Sequence, residues 1–150
     1  MTQRKPAILV ARAIFPSVIE RLRQHCDVTS NDDDAIWGPD ELVSRLQGKA
    51  GILTTGAERV GTELLAACPD LRIAANMAVG YNNFDVPAMT AAGVLASNTP
   101  DVLTETTADF GFALLMATAR RVCESEHFLR PGQWTKWSYD KFARAEVHGS

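Results

Sequence analysis

The sequence predicts an α/β fold: a parallel sheet with helices on both faces, followed by one long helix. Three observations lead there. Short apolar runs alternate with helix-patterned segments about five times at close spacing, the rhythm of a parallel sheet with crossover helices. Proline or glycine marks most of the junctions between them. After Pro100 the alternation stops and a long, almost wholly apolar segment begins.

Each element has its own signal. Ala7-Ile8-Leu9-Val10-Ala11 follows Pro6 and reads as a buried parallel strand. Pro16 opens a helix at its first turn, where a missing N–H costs nothing. Val18, Ile19 and Leu22 continue it at helical spacing. Cys26 to Thr29 reads as a second, edge-like strand, and Ser30 to Asp34 as a solvated polar turn. Its three aspartates lack the glycine and distal glutamate of a calcium loop. Pro39 starts a short helix with Leu42, Val43 and Leu46 on one face. Gly51 to Thr55 is a third strand, ending at Gly56. Thr62 is the expected N-cap of the next helix, which Pro69 closes. Leu71 to Ala75 begins a fourth strand that runs to about Met77. Val86 to Ala92 is a short helix stopped by Gly93, and Val94 to Ala96 is a fifth strand.

Asp101 is the expected cap of the long helix, with Glu105 favourably placed in its first turn. Ala108, Phe110, Phe112, Leu114, Leu115 and Met116 make this helix apolar nearly all round, so most of its faces need cover. One sheet domain covers one face; another domain or a second copy of the chain would take the other. Arg120-Arg121 restores polarity, and Pro131-Gly132 ends the helical region. Trp134 and Trp137 then either line a ligand site or pack at an interface. Residues 140–150 have no periodicity and read as a connector. The expected organisation is a domain over residues 1–100 and a helix with connector over residues 101–150.

Composition bounds the function. The 150 residues are 46% hydrophobic and 22% charged, ordinary for a globular domain. A net charge of −3 and a pI near 5.6 argue against nucleic-acid binding, which favours a basic surface. Cys26, Cys68 and Cys123 form no metal pattern and read as reduced, mostly buried thiols of a cytoplasmic protein. No stretch approaches the roughly 18 apolar residues of a membrane span.

The turn after the fourth strand carries the chemistry. Ala78 to Asp85 follows an apolar strand, at the strand end where open α/β sheets bind ligands. Gly80 either lets a ligand approach the backbone or supplies an unusual φ angle. In the first case the N–H groups of Val79 and Gly80 would hold an anion such as a carboxylate.

Three motifs then carry a family resemblance. Val79-Gly80-Tyr81-Asn82-Asn83-Phe84-Asp85 is similar to V-G-Y-D-N-[IF]-D. The stretch from Asn98-Thr99-Pro100-Asp101-Val102-Leu103-Thr104 to Asp109 resembles T-P-D-V-L-T-[ED]-T-[TV]-A-[DE]. Ala119-Arg120-Arg121 with Gly132-Gln133-Trp134-Thr135 resembles A-R-R followed by G-x-W-[TS]. Together they resemble the N-terminal part of a D-isomer-specific 2-hydroxyacid dehydrogenase of the glyoxylate/hydroxypyruvate and 2-ketogluconate reductase branch.

The resemblance implies a flavodoxin-like substrate domain in a two-domain enzyme that reduces a small 2-keto acid with NADH or NADPH. Val79 and Gly80 would hold the substrate carboxylate. Leu103 and Thr107 would lie near the cofactor, and the long helix would bridge domains and join a homodimer. Asn82 departs from the family's usual aspartate, which puts in question how the loop is held.

No G-x-G-x-x-G dinucleotide motif occurs in the 150 residues. The resemblance places the catalytic arginine, glutamate and histidine beyond residue 150, and His25, His127 and His148 match no such position. The expectation is therefore a piece of a longer enzyme, inactive by itself. Two other classes remain: a free-standing flavodoxin-like module that senses a small acid, and a receiver-like regulator. The receiver lacks its aspartate at the end of the third strand, where Leu53-Thr54-Thr55 stands.

Overall fold

The computed structural model describes residues 4–143 and 146–148. It divides into two compact units, with the boundary after Asp101. In the first unit, strands β1 (Ala7–Val10), β2 (Asp27–Ser30), β3 (Gly51–Thr54), β4 (Ile73–Asn76) and β5 (Leu95–Ser97) form one parallel sheet. Their order is β2-β1-β3-β4-β5, the flavodoxin-like order, with β2 at one edge as its polar sequence suggested. The connecting helices are α1 (Pro16–His25), α2 (Pro39–Leu46), α3 (Thr62–Ala67) and α4 (Val86–Ala91). Right-handed crossovers put α1 on one face of this sheet and α2, α3 and α4 on the other. Contacts of α3 with both α2 and α4 agree with that arrangement.

The core sits between the sheet and the α2–α4 layer. Leu9, Leu46, Leu71, Met89 and Val60 are fully buried there. Each such side chain contributes about 1.5–3 kcal/mol by leaving water. On the other face the row Ile8, Gly51, Ile73 and Leu95 runs across four strands in register.

Local chemistry explains most boundaries. Proline stands at the start of α1, α2 and α4. The Asp85 side chain caps α4 by accepting from the Ala88 N–H at 3.0 Å. Gly93, at φ +69°, ends α4 in a Schellman turn: the Val94 N–H reaches the Met89 carbonyl and the Gly93 N–H that of Thr90.

Several expectations need correction. Gly61, not Thr62, is the N-cap of α3, and Thr62 is its first helical residue. The fourth strand stops at Asn76, so Gly80 lies four residues past its end. The 30–34 stretch is a solvated turn only in part: Asp32 and Asp33 form an exposed turn, but Ser30 closes β2 and the Asn31 side chain is buried. The Asn31 amide donates to the Ala11 and Ala35 carbonyls, tying two loops together. Of the thiols only Cys68 is buried; Cys26 is half-buried and Cys123 exposed.

The second unit holds α5 (Thr104–Ala119) and α6 (Val122–Leu129). Asp101 does not cap α5. It sits at φ +64°, and Leu103 occupies the cap position without a side-chain bond. Arg121, at φ +52°, breaks the helical run, so His127 belongs to a separate helix. The apolar faces of α5 are open, with Phe110 64% and Phe112 63% exposed and no residue buried. The connector falls partly outside the described residues, because positions 144, 145, 149 and 150 are not described.

Candidate functional site

Parallel strands send every following loop to the same edge of the sheet. Arg12 follows β1, Thr55 to Glu58 follow β3, Met77 to Asp85 follow β4, and Asn98-Thr99 follow β5. The strand order reverses between β1 and β3, so this edge contains the crevice where such folds bind ligands.

The loop after β4 is held by its carbonyls. The Thr99 N–H donates to the Ala78 carbonyl at 3.0 Å. Asn98 Nδ2 donates to the Val79 carbonyl at 2.8 Å. Asn76 Nδ2 donates to the Gly80 carbonyl at 2.8 Å. No peptide bond here is cis. In a planar trans peptide the C=O and the following N–H point in opposite directions. With the carbonyls of Ala78, Val79 and Gly80 held, the N–H groups of Val79, Gly80 and Tyr81 are directed away from their ties. None of the three has an acceptor among the described residues. Unpaired backbone N–H groups on a loop suit an anion.

Gly80 fits this reading by elimination. Its φ is not positive, so it supplies no unusual angle. A Cβ built on it would meet nothing within 4 Å. Neither backbone conformation nor packing within the chain calls for glycine at this position.

Residues beneath the loop stitch it to its neighbours. Val60 and Phe84 form a parallel bridge, with the Val60 N–H bonded to the Asn83 carbonyl and the Asp85 N–H to the Val60 carbonyl. Asn83 Nδ2 donates to the Glu58 carbonyl at 2.9 Å. The Asn82 side chain makes no hydrogen bond among the described residues. The departure at position 82 therefore leaves the loop intact, because Asn76, Asn83 and Asn98 hold it.

An ion-pair cluster flanks the crevice. Arg12 donates to both carboxylate oxygens of Asp34, at 2.7 and 2.9 Å, and the Ala13 N–H adds a third bond at 3.0 Å. Glu58, almost buried, lies 4.0 Å from Arg12 and accepts from the Thr55 N–H. The hydrogen bond to Arg12, helped by the Ala13 N–H, lowers the Asp34 carboxyl to about 2. The same bond holds the Arg12 guanidinium above its ordinary value. With two carboxylates beside it, Arg12 has no charge to spare for an anion. No group of three or more metal-ligating side chains occurs among the described residues. No described helix is long and apolar enough to cross a membrane.

Val79 and Gly80 thus lie together in the first unit. Leu103 and Thr107 lie in the second, one turn apart at the start of α5, where the Thr107 N–H bonds the Leu103 carbonyl at 2.8 Å. They present an apolar branch and a hydroxyl. Trp134 and Trp137 line a cavity of about 270 Å³ with Phe128, Leu129 and Phe142, all within the second unit. A separate concavity of about 760 Å³, lined by α2 and α3 residues, includes neither Val79 nor Gly80.

Sequence reasoning missed the roles of Asn76, Asn98 and the Arg12–Asp34–Glu58 cluster. A polar residue closing the apolar run Ile73-Ala74-Ala75 was the available signal for Asn76. Nothing local marks Arg12 and Asp34 as partners, because they meet only through the fold.

Comparison with known proteins places the chain in one family. Residues 8–147 match the model of the D-isomer specific 2-hydroxyacid dehydrogenase catalytic domain. The chain is 39% identical over 149 residues to the glyoxylate reductase of Thermococcus kodakarensis, covering 97% of this chain and 45% of that protein. It is 37% identical over 144 residues to glyoxylate/hydroxypyruvate reductase B of Yersinia pestis, covering 96% and 44%. Among solved structures, the TT0316 protein of Thermus thermophilus superposes with a TM-score of 0.84 at 31% identity, over 94% of this chain and 45% of that one. The NADPH-dependent glyoxylate/hydroxypyruvate reductase of Sinorhizobium meliloti, solved in complex with NADP and malonate, gives 0.66 at 36%, over 87% and 39%. The chain spans a little under half the length of the relatives it matches. It belongs to the D-isomer specific 2-hydroxyacid dehydrogenase family and corresponds to that family's catalytic domain.

Proposed function

We propose that this chain is the substrate-binding portion of an NAD(P)-dependent D-2-hydroxyacid dehydrogenase that reduces a small 2-keto acid. Glyoxylate, hydroxypyruvate and 2-ketogluconate are the candidate substrates. One observation carries the reading: three consecutive carbonyls are held, which leaves the N–H groups of Val79 and Gly80 for a carboxylate. The open space at Gly80 admits the ligand.

The cofactor fits this chain only as a flank. A reduced nicotinamide, when bound, supplies the hydride that reaches the keto carbon. Leu103 and Thr107 would line its edge; no glycine loop of the 150 residues provides a phosphate cradle. The Val79 and Gly80 amides would hold the carboxylate and so orient the keto carbon. His25 ends α1, His127 sits in α6 and His148 in the last described segment, so none is in the loop to serve as proton donor. The chain alone should therefore be inactive. The open apolar faces of α5 support a role against a second domain and a second copy in a homodimer, and speak against a free-standing sensor module.

The gene tests the enzyme reading directly. A coding sequence that continues past codon 150 into a strand and G-x-G-x-x-G supports it. A stop codon there, with a native polypeptide of 16.3 kDa, favours the sensor module. Measurable NAD(P)H-dependent reduction of glyoxylate or hydroxypyruvate by the purified 150-residue chain would refute the division of labour.

A further inference from the structure

We infer that Asn76 and Asn98 are positioning residues for the carboxylate site, one amide on each side of the loop fixing a peptide plane. This rests on the proposed carboxylate-binding role of Val79 and Gly80. Asn98 Nδ2 holds the Val79 carbonyl, and the peptide that carbonyl belongs to ends in the Gly80 N–H. Asn76 Nδ2 holds the Gly80 carbonyl, so it sets the plane of the next peptide and anchors the far side of Gly80.

The Asn76 amide has only one orientation open to it. It is 2% exposed. Its Oδ1 accepts from Thr54 Oγ1 at 2.7 Å, and Thr54 is itself fully buried on the neighbouring strand. Both Nδ2 hydrogens are used, one on the Gly80 carbonyl and one on Asn83 Oδ1 at 3.1 Å. Flipping the amide would set its oxygen against two acceptors, with the Asn76 side chain itself buried. Asn83 continues the line to the Glu58 carbonyl, so the anchor is braced by the loop after β3. Asn98 is different: it is half-exposed, and its bond to Val79 adds little to the fold. Its use is to stop the Val79–Gly80 peptide from rotating. Donors fixed before the ligand arrives bind it without a reorganisation cost.

The test uses the ¹⁵N-labelled 150-residue protein and oxamate, an unreactive 2-keto acid mimic. Two readouts apply: residual dipolar couplings of the Gly80 and Tyr81 amides, and oxamate affinity from the Val79 and Gly80 shifts. In Asn98→Ala the couplings of the β1, β3 and β4 amides should stay as in the wild type while that of Gly80 changes. The oxamate Kd should rise roughly tenfold, about the worth of one hydrogen bond. Asn76→Asp is isosteric but cannot donate while ionised. Burial raises a carboxyl pKa, and once protonated the new carboxyl can again donate to the Gly80 carbonyl. Oxamate binding by that variant should recover as the pH falls from about 8 to about 5, a window in which wild-type binding stays level. Wild-type couplings and affinity in Asn98→Ala, the variant that leaves the core untouched, overturn the inference and leave the carboxylate site standing. Absence of any Val79 or Gly80 shift in the wild-type protein overturns both.

Discussion

Replacing Gly80 by alanine separates folding from binding at this site. A methyl at that position meets no atom within 4 Å, and the backbone is not in the left-handed region. Alanine also restricts the unfolded chain more than glycine does. The substitution should therefore leave stability unchanged or raise it by about 0.4–1 kcal/mol. For a unit of this size that is an upward shift of at most roughly 4–8 °C in the thermal midpoint. Binding should move the other way. A carboxylate seated in the open space beside Gly80 would share that space with the new methyl group. Displacing it by a few tenths of an ångström weakens a charge-assisted hydrogen bond, and the oxamate Kd should rise roughly tenfold or more, about 1.4 kcal/mol. Thermal melting followed by circular dichroism and an oxamate titration give the two numbers. A destabilised variant would mean that the glycine serves the fold. A stable variant with unchanged affinity would mean that no ligand uses the open space.

Other glycines should behave differently. A Cβ at Gly51 would sit 3.1 Å from methyl groups of both Ile8 and Ile73, so Gly51→Ala should cost about 1–3 kcal/mol in chemical denaturation. Gly93→Ala places a side chain at φ +69° and should cost about 1 kcal/mol, read as a lower urea midpoint. Asp34 gives a pH signature. Its folded pKa is depressed from 3.8 to about 2 by Arg12, so its contribution is present above about 4 and lost as the pH falls toward 2. Asp34→Asn should flatten that part of the stability profile in acid titrations, and an unchanged profile would show that the pair contributes nothing in solution.

Much of the fold was legible because its signals are local. Apolar runs of four or five residues, proline at the starts of α1 and α2 and Gly93 after α4 each act within a few residues. The errors lie where side chains compete for a role. Thr62 and Asp101 both have capping chemistry, yet Gly61 and Leu103 take the cap positions. Asn31 looked solvated among its acidic neighbours, but two loop carbonyls needed its amide and drew it inside. The break at Arg121 depends on a left-handed backbone that no glycine announces. At the candidate site, the glycine turn could be read from spacing. The devices that hold it could not: Asn98 reaches Val79 across 19 positions, and Arg12 reaches Asp34 across 22.

The most direct measurement is an amide titration of the ¹⁵N-labelled protein with oxamate. A carboxylate site in the loop after β4 requires large, saturable shifts at Val79 and Gly80, with small ones at Arg12 and Asp34, whose charges are already engaged. Saturable shifts centred elsewhere, with Val79 and Gly80 unmoved, would contradict it.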